Sequence, residues 1–488
     1  MLLNPAMSRF LRTFSVVLVL CLSQAACSLA PQYERPDSPV PDQYPGAELS
    51  NQGEPTASRL PWKDFFTDPT LQQLIKTALE RNRDLAVMTE RISESAAIYG
   101  IERSSLFPGV RADAAAARVG LPSELSRGLG ASPVTQYSVA AIASWELDFW
   151  GRIRNLNEAA LQNYLVTESA QQAAALSLIA RVASAYYTLA GIEEQIAIAR
   201  QAVDSRQRTY DLFRRRYELG SGTKLEVAES ETLLTQAQEM FAELSKQKRL
   251  VLNLLAQLTG DYSLAENLQV NFAKLPELKP GLPSELLLYR PDIMAAEYKL
   301  KGANANIGAA RAAFFPSITL NGAAASVSTE LSGLFDSGSK AWLLSPSLSL
   351  PIFDGRRLES NLDLATVRKN IAVIEYEKAI ENAFREVADA LAEIESLEKS
   401  VQIKHRAVAA QSERARLVKL RFERGSTSYF EVLDAQRVLL QVQQQLVQQE
   451  TDLELAKVKL FAALGADGAI VPVEGVDRLN FDTEVSKS

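Results

Sequence analysis

Two carboxylates three residues apart, Glu431 and Asp434, open a stretch whose Leu, Val and Ala spacing through 430–464 is helical. Residues three apart on a helix share a face, so the pair concentrates negative charge on one side. Glu226 and Glu229 repeat the pattern earlier in the chain. A carboxylate cluster selects for cations where it lines a passage; on a free surface it is a solvated helix face. Catalysis has less to work with. The one histidine, His405, lies mid-helix without a motif and reads as a surface residue. No Ser-His-Asp arrangement, phosphate-binding loop or metal-ligand spacing occurs. Gly128-Leu129-Gly130 sits between strands and lacks a following helix signature. The chain therefore reads as a non-enzyme, with no cofactor and no metal implied.

The elements that must position these acids follow from composition and pattern. The chain has 488 residues and a formal charge of -7, with 47% hydrophobic, 23% charged and 7% aromatic residues. Abundant Ala, Leu, Glu, Gln and Arg favour long helices. The mild acidity and the lack of a basic tract argue against nucleic acid as a partner. Arg9 and Arg12 precede a short apolar run, Phe14 to Leu22, which reads as an export signal too short to span a bilayer. Ser23-Gln24-Ala25-Ala26-Cys27 then looks like a lipobox, with cleavage leaving Cys27 to carry lipid; Gln24 departs from the usual apolar residue. Ordinary cleavage near Ala25 or Ala26, leaving a free thiol, is the alternative. Ser28 rather than Asp after the cysteine fits sorting to an outer membrane. Removing 1–26, with two arginines and no acids, takes the charge from -7 to -9. Cys21 falls inside the signal, so no intrachain disulfide is possible. No other segment reads as apolar enough for a transmembrane helix.

The chain is internally duplicated. At an offset of 208, Asp84, Arg103, Phe107 and Pro108 meet Asp292, Arg311, Phe315 and Pro316. At 204, Phe149-Trp150-Gly151-Arg152 meets Phe353-Asp354-Gly355-Arg356. At 205, Tyr217-Glu218-Leu219-Gly220 meets Phe422-Glu423-Arg424-Gly425, Glu226-Val227 meets Glu431-Val432, and Gly260 meets Gly465. Loop insertions in a duplicated unit produce such a slow drift.

Each repeat begins with a helix (68–104, 290–313) that Phe-Pro stops. Two alternating runs follow: Val110, Ala112, Ala114 and Ala116, then Tyr137 to Leu147, in the first repeat; Ile318 to Ala324, then Trp342, Leu344, Leu348 and Leu350, in the second. Period-two alternation of this length is a barrel-strand signature. Proline-free stretches 152–217 and 356–424 predict helices of about 65 residues, roughly 100 Å long. They break at Gly220-Ser221-Gly222-Thr223 and Gly425-Ser426-Thr427-Ser428, and return as helices 225–258 and 430–464. Helices so long need partners throughout, which puts both turns at a tip distant from the strands. The expected organisation is 1–26 signal peptide, 27–65 lipidated extended segment, 66–263 repeat one, 264–288 Pro-rich linker, 289–466 repeat two and 467–488 tail. Four strands cannot close a membrane barrel, and an open edge cannot survive in lipid. Three copies would supply twelve strands, so the fold class expected is an α+β membrane protein, a trimeric twelve-stranded β-barrel continuous with a helical barrel.

Particular motifs carry a family resemblance. They are Cys27-Ser28-Leu29-Ala30-Pro31 with Tyr33 and Arg35-Pro36, Trp62-Lys63-Asp64-Phe65-Phe66 with Asp68-Pro69 and Leu71, and Ser144 to Arg152. Arg290-Pro291-Asp292-Ile293, Ala312-Ala313-Phe314-Phe315-Pro316 and Leu433-Asp434-Ala435-Gln436-Arg437 complete the set. Over nearly the whole mature chain the sequence resembles the outer-membrane factor family, the TolC-like channels, and within it the lipoprotein branch with OprM and NodT. The departures are Gln24 and Lys63, where many relatives have a second Trp. The resemblance implies a homotrimer in the Gram-negative outer membrane, lipid-anchored at Cys27, its helices in the periplasm. It implies passive export of drugs and other small molecules, with a periplasmic adaptor protein and an inner-membrane pump as partners. Asp434 matches the family's ring aspartate and Glu431 the second acidic position. Phe430 and Arg437 match neighbours linked with a hydrophobic constriction and a tethering pair. Gly220 to Thr223 and Gly425 to Ser428 would form the adaptor-docking surface, although Gly alone also explains the reversal. The same architecture would serve as the exit duct of a type I protein-secretion system. A third reading is a non-channel coiled-coil surface lipoprotein.

Overall fold

The computed structural model describes residues 28–45, 60–120, 133–263, 268–278, 283 and 289–465. Cys27, the 1–26 signal, Gly128 to Gly130, the 467–488 tail and most of the 264–288 linker lie outside the described residues. The element order is α1 (Trp62–Phe65), α2 (Pro69–Arg81), α3 (Arg83–Ser104), β1 (Gly109–Val119), β2 (Val134–Leu147), α4 (Arg152–Glu218) and α5 (Lys224–Thr259). The second repeat supplies α6 (Pro291–Ala312), β3 (Ser317–Ser328), β4 (Lys340–Ser349), α7 (Arg357–Glu423) and α8 (Tyr429–Ala463).

The helix expected over 68–104 is two helices. Asn82 takes an extended backbone and ends α2. Its side chain then accepts from Leu85 N at 3.0 Å, starting α3, and donates to Leu258 O at 2.9 Å. An amide that caps one helix while tying down another outweighs helical continuity. β4 ends at Ser349, so Leu350 lies beyond the strand on which alternation placed it. α4 and α7 each run 67 residues, about 100 Å at ~1.5 Å per residue. One stretch of α4 is long and apolar enough to cross a membrane, contrary to expectation, but 72% of it is buried inside the protein. It is a core helix in which apolar residues face protein on nearly every side.

The chain divides into two compact units: Met1–Pro36, Ile92–Thr167 and Ala295–Tyr376 form the first, and Asp37–Arg91, Glu168–Met294 and Glu377–Ser488 the second.

Unit one holds the sheet, antiparallel in the order β1-β2-β3-β4. Register joins the four faces that alternation had given separately. Val110, Ala143, Gly322 and Leu344 pair across one row, and Ala112, Ala141, Ala324 and Trp342 across the next. Trp145, Leu320 and Pro346, then Leu147, Ile318 and Leu348, continue the same apolar face. The opposite face carries Ser144, Asn321 and Ser345 in one row and Glu146, Thr319 and Ser347 in another. Among the described residues, β1 and β4 each keep one edge without a strand partner.

Unit two holds the aromatic core. Phe65 stacks on Phe461 at 4.7 Å, and Phe66 meets the same ring edge-on at 5.2 Å. This explains the Phe pair of the Trp62 motif. The linker is pinned by a buried ion pair: Glu454 accepts from Leu275 N at 2.8 Å, and Lys457 donates to Leu275 O at 3.2 Å and to Glu454 at 3.2 Å. The Gln-rich side of α8 bonds its neighbours: Ser400 of α7 donates to Gln449 and Lys404 of α7 to Gln445, both at 2.7 Å.

The duplication extends to the contacts. Asn82 donates to Leu258 O, and its counterpart Arg290 donates to Ala463 O at 2.7 Å. Gly260 and Gly465 both have positive φ, and a Cβ on either would stand 3.1 Å from the carbonyl of Arg81 or Tyr289. Where α4 passes α8, a Cβ on Gly191 would collide with the Thr451 side chain. Gly191→Ala should therefore destabilise the fold by roughly 1–3 kcal/mol, the usual cost of overpacking. Adding Thr451→Ala should recover most of the loss in chemical denaturation; a double variant no better than Gly191→Ala would contradict this packing.

Candidate functional site

The two helical turns of unit two are built alike. Gly220 (φ 73°) and Gly425 (φ 72°) take the left-handed conformation that L-residues avoid. Ser221 N donates to Arg216 O at 2.9 Å and Gly220 N to Tyr217 O at 3.0 Å. Ser426 N donates to Arg421 O and Gly425 N to Phe422 O, both at 2.8 Å. This paired capping pattern satisfies the last carbonyls of α4 and α7.

The return helices then diverge. Thr223 and Glu226 form a reciprocal capping box: Thr223 Oγ1 accepts from Glu226 N at 3.2 Å, and the Glu226 carboxylate accepts from Thr223 N at 2.8 Å. Glu226 is thus occupied in starting α5. Its counterpart Glu431 forms no such box, since the Ser428 side chain makes no cap bond. Glu431 instead stands 3.9 Å from Arg421. Asp434, the counterpart of Glu229, accepts from Arg414 Nη2 at 2.8 Å and from Arg437 Nη2 at 2.9 Å. Phe430 is exposed. The four residues expected to act together therefore divide into a bonded Asp434–Arg437 pair, Glu431 beside Arg421, and an outlying Phe430.

Three participants were missed by sequence reasoning. Arg414 and Arg421 lie on α7 across the turn from Asp434 and Glu431; counting outward from Gly425 in an antiparallel pair would have found both. Tyr429 is the third. Its ring packs edge-on to Phe213 and Phe422, each at 4.8 Å, and its hydroxyl lies 2.9 Å from Thr209 Oγ1. These contacts join the end of α4 to the start of α8. Arg206, buried nearby, donates to Leu233 O at 2.8 Å; burial, and secondarily the charge of Arg437, lower its pKa. His405 is half exposed as expected, with Nε2 3.1 Å from Glu450 Oε1. No cluster of metal-binding side chains occurs among the described residues.

A sequence model of the outer membrane efflux protein family matches residues 74–261 and again 282–466, one match per repeat. The chain belongs to that family. Outer membrane protein OprJ of Pseudomonas aeruginosa is 40% identical over 453 residues, covering 92% of this chain and 94% of its own. The toluene efflux pump outer membrane protein TtgC of Pseudomonas putida is 38% identical over 447 residues, covering 90% and 92%. Among solved structures, the open state of the Neisseria gonorrhoeae MtrE outer membrane channel superposes with a TM-score of 0.81 at 36% identity, covering 90% of this chain and 98% of that one. The family is one of outer membrane channel proteins, and the ion pairs at the turns join neighbouring helices within this chain.

Hydrogen bonds from Arg437 first, and Arg414 second, hold the Asp434 carboxyl below its ordinary value of 3.8. A depressed carboxyl contributes its ties fully above the ordinary value and loses them as pH falls through the lower folded-state value. Spin-label distances between the ends of α7 and α8 should thus stay constant down to pH 3.8 and lengthen below it. Lengthening well above that pH would contradict the assignment. Because the pairs are partly exposed, Asp434→Ala should cost less than about 1 kcal/mol of overall stability.

Proposed function

We propose that the protein is the outer-membrane exit duct of a tripartite efflux system for drugs and other small molecules, closed into a channel by three copies. One observation carries this reading: a continuous apolar face spans four strands of a sheet that, among the described residues, ends in two unpaired edges. In lipid those edges must be paired, and barrels are the solution. Twelve strands from three chains exceed the eight of the smallest barrels. The antiparallel order of the sheet supports pairing of β4 with β1 of a neighbouring copy in the same antiparallel sense. The rows of Ser, Thr and Asn then line the water-filled interior, as in other membrane barrels.

The long helices extend the duct into the periplasm. Glu431 and Asp434 from each chain gather where the duct narrows. Carboxylates there favour cations, and Phe430 resists water. Arg414 and Arg437 hold Asp434, so parting of α7 from α8 widens the passage. Gly220 to Thr223 and Gly425 to Ser428 present the surface for a periplasmic adaptor, which joins the duct to an inner-membrane pump. No nucleotide-binding motif occurs in the chain, so the pump supplies the energy. Cys27 carries the lipid anchor. The relative named for toluene efflux supports apolar small molecules among the substrates. A type I protein-secretion duct would use the same frame; an adaptor gene and a proton-driven pump gene beside this one favour efflux.

Deleting the gene should raise intracellular accumulation of an apolar drug or dye, and the wild-type gene should restore export. In planar bilayers the purified protein should conduct with cation preference, and Asp434→Ala should raise conductance and weaken that preference. Unchanged conductance and selectivity would remove Asp434 from the constriction; no conductance from wild-type protein would defeat the channel reading itself.

A further inference from the structure

Residues 28–36 are held along one stripe of α6, within unit one. Leu29 O accepts from Arg311 Nη1 at 3.2 Å, and Pro31 O from Asn304 Nδ2 at 2.7 Å. Tyr33 OH donates to Glu297 at 3.1 Å, and Arg35 Nη2 donates to the same carboxylate at 2.8 Å. Lys301 pairs with Glu297 at 3.0 Å and lies over the Tyr33 ring at 5.3 Å. Gly308 completes the stripe: a Cβ there would lie 2.8 Å from Ala30 N. Residues 297, 301, 304, 308 and 311 alternate steps of four and three, the spacing of a single helix face. That face grips an extended segment instead of an apolar core.

Glu297 is the centre of the grip. Its side chain is 7% exposed and takes two cations and a phenol. A carboxylate is kept ionised in such a place only when it is well paired. At the other end of the segment, Ser28 Oγ donates to Asn155 Oδ1 at 3.0 Å, and Asn155 Nδ2 donates to Gly151 O at 2.7 Å. The segment therefore ties the first turns of α4, in repeat one, to α6, in repeat two. Gly151 directly follows Trp150, whose ring stacks on Phe315 at 4.7 Å and whose Nε1 donates to Pro316 O at 2.8 Å, below the ends of β2 and β3.

The duplication shows that this grip is specific. In repeat one the matching positions of α3 are Thr89, Ser93, Ala96, Gly100 and Arg103. The glycine and arginine persist, but the Glu, Lys and Asn are gone. A Cβ on Gly100 meets nothing within 4 Å. Both repeats carry the glycine and the arginine, but only the second carries the polar lock and the close approach at its glycine.

We propose that residues 28–36 form a docked strap, locked by Glu297, that fixes the point from which residue 27 leaves the protein. The lock makes that point part of unit one, at the base of the sheet beside Trp150. Aromatic residues of this kind settle at the membrane interface. The consequence rests on the lipid anchor assigned to Cys27 above: acyl chains enter the bilayer at the level where the strands do, and a pull on the anchor reaches α4 and α6 of both repeats. Glu297 is a positioning residue for the anchor.

Glutamate-specific proteolysis after Glu34 of the purified full-length protein tests the strap. Cleavage of a docked segment follows its local opening. Glu297→Ala should speed that cleavage at least about tenfold, and Arg35→Ala should act in the same direction from the strap side, where it cannot disturb the helix. Arg35→Lys, which keeps the charge, should stay near the wild-type rate. Wild-type rates in both alanine variants, or loss of protection in Arg35→Lys equal to that in Arg35→Ala, would overturn the lock. Radiolabelled palmitate on the wild-type chain tests the anchor separately: its absence would defeat the lipid reading and leave the strap standing.

Discussion

A strand edge carries a row of backbone N–H and C=O groups, and hydrocarbon offers them nothing to bond. Among the described residues the sheet has two such edges, β1 and β4, and its apolar face suits hydrocarbon better than water. Most of the architecture follows from removing that conflict. In the proposed channel, edges meet the edges of other copies. On that proposal the apolar face meets lipid, and the face carrying Ser144, Asn321 and Ser345 turns to the interior. A helix of 67 residues follows β2 in the chain and another follows β4, and the proposed duct would be continued by them.

The two repeats share a frame and differ in the charged contacts built on it. The turns at Gly220 and Gly425 share their backbone bonds, and the closing contacts of Asn82 and Arg290 match. Three pairs of equivalent positions have parted. Glu226 closes a capping box, whereas Glu431 is free of that duty and stands by Arg421. Glu229 aligns with Asp434, which ties Arg414 to Arg437. Thr89 aligns with Glu297, which grips the strap. In each pair the second repeat carries the charge network. One copy can preserve the scaffold while the other takes on charged work.

Much of this was legible in the sequence because it depends on local pattern. The long helices, their glycine turns and the four strands follow from periodicity, proline positions and the order of landmarks. Register was not legible, since pairing is set by contacts between segments far apart in the chain; yet the faces read strand by strand join into one surface. The break at Asn82 was hidden because its cause, the carbonyl of Leu258, lies 176 residues away. Arg414 and Tyr429 were missed for the same reason: each acts across a turn or between helices, and neither stands in a motif. The polar stripe of α6 was visible as spacing, but nothing in it said that its partner was the segment beginning at residue 28.

Closure of the sheet by other copies is the claim on which the channel, its polar interior and its narrowed end all depend. Native mass spectrometry of the full-length protein, extracted from the outer membrane in mild detergent, tests it most directly. Edge-to-edge closure predicts a species of three chains and no folded single chain. A single chain that keeps its sheet folded, with no larger species, would contradict it.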